Sequence, residues 1–280
     1  MLKSACMKKI IFCFLFFLGY FPVLFSQKQN NKSAETPSLP TAKETEASAR
    51  KLNIDSAITV KNTVVIEGQH VPYTVTAGSI PVWDENDKPV AGVFYTYYER
   101  SGVNDRSSRP LVISFNGGPG TPSVWMEIGY TGPRILKIDD EGYPVQPYGM
   151  KDNPYSILDV ADIVYVDPVN TGFSRPVSKD VPRTKFFGVN ADIKYLAQWI
   201  STFISRYKRW ASPKYLIGES YGTTRVSGLA LELQNAQWIY LNGVILVSPT
   251  GLGIKRDGPV DQALMLPYYT ATAWYHKVLP

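Results

Sequence analysis

From about residue 63 onward, apolar stretches alternate with clusters of turn-forming residues. Thr63–Ile66, Tyr73–Val75, Ile80–Trp83 and Val93–Tyr98 are rich in Val, Ile, Tyr, Phe and Thr. Turn formers punctuate them, including Asp84-Glu85-Asn86-Asp87 before Lys88-Pro89, which predicts antiparallel hairpins. The texture then changes. Leu111–Phe115, Ile163–Val166, Tyr215–Ile217 and Val244–Val247 are continuous apolar runs, as strands buried on both faces of a parallel sheet require. Between the second and third of these, Val189, Ile193, Leu196, Ile200, Phe203 and Tyr207 recur every three or four residues and mark one face of a helix. Hairpins followed by strands alternating with helices predict an α/β fold, with a mixed, mostly parallel sheet and helices on its faces.

The N-terminal stretch has another character. Lys8 and Lys9 precede an apolar run from Ile10 to Leu18 that continues, after Gly19 and Tyr20, to Phe25 and then Ser26-Gln27. A basic start, a short apolar core and a small closing residue form the pattern of a secretory signal peptide. The run is shorter than the roughly 20 residues of a membrane span. Residues 1–26 are therefore expected to direct export, to the periplasm or outside the cell, with no stable membrane anchor left after cleavage. Residues 27–51 are Gln, Asn, Lys, Ser, Glu, Thr and Pro with almost nothing to bury, the composition of a disordered linker. A folded domain is expected over residues 52–280, with no internal repeats.

Composition narrows the function. The formal charge of +5 is inflated by Lys3, Lys8 and Lys9; without the first 26 residues, 26 basic residues face 24 acidic ones. A protein led by phosphate contacts keeps a larger, clustered excess, so nucleic acid is not an expected partner. Both cysteines, Cys6 and Cys13, lie in the leader, which removes a disulfide scaffold, a thiolate metal site and a cysteine nucleophile from consideration. With His70 and His276 as the only histidines, a histidine-built metal cluster is equally excluded. No metal or nucleotide cofactor is expected.

The candidate chemistry sits at strand ends. After Tyr215-Leu216-Ile217 comes Gly218-Glu219-Ser220-Tyr221-Gly222, and Thr223 to Gln234 then reads as a helix. A G-x-S-x-G sequence between strand and helix is a nucleophile elbow, a turn so tight that both flanking positions must be small and the serine hydroxyl stands above the sheet. The N–H of Tyr221, at the helix N-terminus, can face a developing oxyanion. Asn116-Gly117-Gly118-Pro119-Gly120 leaves strand Leu111–Phe115, where a glycine run lets the backbone approach a ligand and supply the second oxyanion donor. Glu219 beside the serine would oppose a developing negative charge if ionised. It makes sense where the site must hold a second carboxylate, because two acids in contact share a proton. Asn116 is placed to donate a hydrogen bond to the same group; the bland alternative pairs Glu219 with a surface base.

Asn116–Gly120, Val166-Asp167-Pro168-Val169-Asn170-Thr171-Gly172-Phe173-Ser174 and Gly218–Gly222, in this order, resemble the serine carboxypeptidase family, whose fold is the α/β-hydrolase. The likeness extends from about Asn53 to Pro280. It implies Ser220 as nucleophile, the N–H groups of Gly118 and Tyr221 as oxyanion hole, and Asn116 with Glu219 as the grip on the free C-terminal carboxylate of a peptide. It also implies a preference for acidic pH. The chain departs from the family at Thr121-Pro122-Ser123, where a disulfide-bonded cysteine is common, so that loop lacks a covalent tie. It departs again at Phe115 and at Gly222-Thr223-Thr224-Arg225, as a divergent and bacterial branch would.

In this fold the acid and histidine of the triad follow the serine. After Ser220 the candidates are Asp257, Asp261 and His276, with one further strand, Val244–Val247, where at least three are needed. Leu266 to Leu279 resembles the start of the family's cap insertion. The expectation is that the triad acid and histidine lie beyond Pro280, so that these 280 residues form the N-terminal part of a longer enzyme and are catalytically incomplete alone. Two rivals remain: another α/β-hydrolase, either an esterase or a proline iminopeptidase, and a secreted peptide-binding protein without turnover.

Overall fold

The computed structural model describes residues 53–250 and 258–279. The expected export signal and linker, both cysteines and Asp257 lie outside the described residues. Three long antiparallel strands open the fold: β1 (Ser56–Ile66), β2 (Gln69–Trp83) and β3 (Pro89–Arg100). Then follow β4 (Leu111–Phe115) and the single turn α1 (Val124–Met126), continued by a π-helical turn over Glu127–Thr131. A small hairpin of β5 (Arg134–Leu136) and β6 (Met150–Asp152) precedes β7 (Asp162–Val166) and the two-residue β8 (Arg175–Pro176). The remainder is α2 (Val189–Arg206), β9 (Lys214–Glu219), α3 (Tyr221–Gln237), β10 (Gly243–Val247) and α4 (Pro259–Tyr275).

The main sheet runs in the order β1-β2-β3-β7-β4-β9-β10, with β8 on β3. β7, β4, β9 and β10 are parallel, and the first three strands extend the sheet antiparallel. β4 lies between β7 and β9, so the chain leaves β4 for one neighbour and returns past it to the other. In open α/β sheets the strand ends at such a reversal frame a crevice for ligands. Here those ends are Phe115 and, paired across from it, Gly218.

Alternation along the parallel strands divides the core. Leu111, Ile113, Phe115, Val164, Val166 and Leu216 pack with α2 and α3, while Val112, Ile163, Tyr165 and Ile217 pack on the other face with Met126 and Ala161. The expected helix face buries Ile193, Leu196, Ile200 and Phe203 of α2 and adds Trp199, which stacks on Phe203 and packs against Tyr95. Each such side chain contributes about 1.5–3 kcal/mol of burial. α2 stops where Lys208 turns left-handed (φ 55°) and the N–H of Arg209 bonds back to the Ile204 carbonyl, which satisfies the last carbonyls of the helix.

Three sequence expectations need adjusting, the first being Val244–Val247, which lie in β10 with only β9 beside it among the described residues and stay half-exposed rather than buried on both faces. Tyr73–Val75 and Ile80–Trp83 are one strand, β2, because Thr76-Ala77-Gly78-Ser79 keeps the ladder to both neighbours. The glycine there answers crowding: a Cβ on Gly78 would lie 2.8 Å from Ala57 Cβ and 2.9 Å from the Tyr95 hydroxyl. The second helix starts at Tyr221, not Thr223, because the Ser220 carbonyl accepts both the N–H and the hydroxyl of Thr223. No described helix is long and apolar enough to cross a membrane.

Candidate active site

β9 ends at Glu219 and α3 begins at Tyr221, so Ser220 alone makes the corner, at φ 55° and ψ −122°. A non-glycine residue in that region is strained and is held there only by its surroundings. Those surroundings are visible: the Ser220 N–H donates to the Val247 carbonyl of β10 at 3.0 Å. The corner closes only because its flanks are bare. A Cβ on Gly218 would overlap the Gly222 carbonyl, and one on Gly222 would lie 2.8 Å from the Phe115 carbonyl oxygen.

The glycine loop after β4 lies directly against this corner. A Cβ on Gly117 would fall 2.7 Å from the Tyr221 nitrogen and 2.8 Å from Ser220 Cβ, so only glycine lets the loop come this near. Among the described residues, neither the Gly118 N–H nor the Tyr221 N–H donates to a protein carbonyl. Tyr221 is the first residue of its helix, where N–H groups have no intrahelical partner. Both N–H groups are thus unpaired among the described residues, one next to Ser220 in the chain and one next to Gly117, which packs on the corner.

Asn116 is buried: its side-chain oxygen accepts the Met126 N–H at 2.8 Å, and its Nδ2 donates to Glu219 Oε2 at 3.2 Å, which leaves the second amide N–H without a protein partner among the described residues. Fixing the amide oxygen on Met126 leaves the amide nitrogen aimed at Glu219. Among the described residues Glu219 forms no ion pair, contrary to the bland alternative. Of the five predicted residues, Glu219, Ser220 and Tyr221 are consecutive at the corner, Asn116 is hydrogen-bonded to Glu219, and Gly118 follows Gly117, whose backbone packs against that corner. His70 does not join them; it sits exposed on the β1–β2 hairpin, opposite Val65. His276 follows α4, exposed, with its ring edge-on to Tyr275.

Three features were not foreseen. The loop that lacks a disulfide is tied by hydrogen bonds, since the Ser123 N–H donates to Asp167 Oδ1 at 2.9 Å and its hydroxyl to the Val166 carbonyl. Arg225, met in the sequence only as a departure from the family, is 1% exposed and donates to the Asn116 carbonyl at 2.8 Å. Glu127, one residue past the amide that fixes Asn116, is the third. Burial pushes its carboxyl up to about 7; the Tyr98 hydroxyl, donating at 2.7 Å, works the other way, and Asp167 adds to the rise. Asp167 and Asp192 are raised as well, chiefly by burial. No local pattern marked Glu127, because its surroundings depend on Tyr98, 29 residues away in the chain.

With this geometry in hand, similarity to known proteins is informative. The serine carboxypeptidase family model matches residues 66–280. Serine carboxypeptidase-like 16 of Arabidopsis thaliana is 30% identical over 219 residues, 75% of this chain and 48% of that protein. A serine carboxypeptidase family member of Dictyostelium discoideum is 28% identical over 196 residues, 69% of this chain and 43% of that protein. The chain thus spans less than half the length of either relative. A solved prohormone-processing carboxypeptidase from Saccharomyces cerevisiae superposes with a TM-score of 0.53 at 22% identity, over 74% of this chain and 43% of that one. At that identity the likeness speaks for the fold, which is the α/β-hydrolase expected from the sequence.

Proposed function

The chain belongs to the serine carboxypeptidase family, and from that premise we propose that the protein of which it forms part hydrolyses peptides from a free C-terminus through an acyl-enzyme on Ser220. The Ser220 hydroxyl attacks the last peptide carbonyl, and the N–H groups of Gly118 and Tyr221 receive the oxyanion. Asn116 and Glu219 hold the terminal carboxylate of the substrate. Departure of the C-terminal amino acid leaves the acyl ester on Ser220, and water then releases the shortened peptide.

One observation carries this reading: the Asn116–Glu219 hydrogen bond beside a serine held at a strained strand-to-helix corner. An esterase needs the serine and the donors but has no use for an acid next to an oxyanion. A site that must seat a second carboxylate does, because one proton shared between two acids removes the repulsion. The domain over residues 52–280 carries this machinery, and residues 1–26 serve as its export signal, which directs the protein to the periplasm or outside the cell.

A fluorophosphonate probe tests the catalytic claim, since it labels only an activated serine. Labelling of the native protein should map to the peptide containing Ser220 and disappear in Ser220→Ala. An unlabelled native protein that still binds peptides would favour the non-catalytic binding role instead.

A further inference from the structure

Arg225 brings a charge into the core beside the site, although none of the proposed chemistry touches it. Its Nε donates to Asp192 Oδ2 of α2 at 2.7 Å, its Nη1 to the Asn116 carbonyl at 2.8 Å and its Nη2 to the Pro119 carbonyl at 3.4 Å. The guanidinium carbon also lies 5.7 Å from the Phe115 ring centroid and 5.2 Å from that of Tyr221. Removing an ion pair from water costs several kcal/mol, and apolar residues of the same volume often stabilise a core better. Stability alone is therefore a poor explanation for Arg225. Geometry is a better one.

We propose that Arg225 is a positioning residue that sets the spacing of the two oxyanion donors. Gly118 lies between the two carbonyls that the guanidinium holds, and Tyr221, whose ring it faces, supplies the other N–H. A planar fork holds both segments and Asp192 at once in fixed directions, whereas a lysine ammonium is a point charge with rotatable donors that sets no such geometry. Asp192 anchors the fork in turn: the Tyr195 hydroxyl donates to its Oδ1 at 3.3 Å and accepts the Val169 N–H at 3.0 Å. Two residues before Val169, Asp167 accepts the Ser123 N–H and so returns to the glycine loop. Hydrogen bonds and short backbone stretches thus form a closed circuit around the loop, where many relatives are expected to have a disulfide. The proposal rests on the reading of Ser220 as nucleophile.

Two variants of the native protein test it. Arg225→Lys keeps the charge but loses the fork. Arg225→Met combined with Asp192→Asn removes the fork without leaving a buried carboxylate unpaired. Three quantities are measured: urea stability, the rate of fluorophosphonate labelling at Ser220, and amide hydrogen exchange over residues 116–123 and at Tyr221. Labelling should slow about 10–100-fold in both variants, the scale of a displaced oxyanion donor. Exchange in those amides should quicken, and Arg225→Lys should recover stability without recovering rate. A folded variant with native labelling and native exchange would overturn the proposal. Should the double variant fail to fold, Arg225→Lys decides alone. Should the native protein not label, the hydrolase reading fails; the exchange measurement still decides, because unchanged amides would refute the positioning role.

Discussion

Glu127 offers a direct test of how the site is built. Its carboxyl has an ordinary value of 4.5 and stands at about 7 in the folded protein, driven first by burial. The native state thus holds a proton that the unfolded chain has already released. Its stabilising effect is complete below the unfolded value and is lost as pH rises through about 7. Linkage sets the full effect at about 3 kcal/mol. Allowing for the partial solvation of the group, about 2 kcal/mol should be lost between pH 5 and 8. Glu127→Gln keeps an oxygen to accept the Tyr98 hydroxyl but cannot ionise. Urea unfolding of both proteins across that pH range isolates the contribution, because Asp167, Asp192 and every other carboxyl titrate in both. The difference between the two curves should shift in favour of the glutamine variant by about 2 kcal/mol from pH 5 to 8. Parallel curves would refute the claim that this half-buried carboxyl bears a proton near neutrality.

Other expectations follow from the same geometry. Glu219→Gln should weaken binding of free peptide carboxylates and alter the pH profile of kcat/KM; an unchanged profile would remove the shared-proton argument. Ser220→Ala should abolish turnover while calorimetry still records peptide binding. Gly117→Ala puts a methyl 2.7 Å from the Glu219 carbonyl oxygen and the Tyr221 nitrogen, and should cost about 1–3 kcal/mol with a loss of labelling at Ser220. Trp199→Ala, far from the chemistry, should lower stability by about 3–5 kcal/mol in thermal or urea unfolding, yet leave KM near its native value.

The parts of this protein that were readable from sequence are those whose cause is local. The elbow is a case: five adjacent residues dictate the turn, and the strand before it and helix after it are periodic enough to recognise. The glycine loop is another, because its glycines follow a strand directly. The first three strands were only half legible, since Gly78 looks like punctuation until Ala57 and the Tyr95 hydroxyl are found against it. Arg225 shows the other limit. Its partners, Asp192 and Asn116, are 33 and 109 residues away in the chain, and no short pattern announces them. Glu127 was silent for the same reason, because its proton affinity comes from burial against elements that only the fold brings together.

The central claim is that this site reads a free C-terminal carboxylate and cuts beside it. Mass spectrometry of an N-acetylated peptide and its C-terminal amide, each incubated with the native protein and with Ser220→Ala, tests that claim most directly. The account predicts loss of a single C-terminal residue from the free acid, little or none from the amide, and no product with the variant. Equal cleavage of acid and amide, or cleavage only after the N-terminal block is removed, would contradict it and point to an esterase-like or aminopeptidase-like site instead.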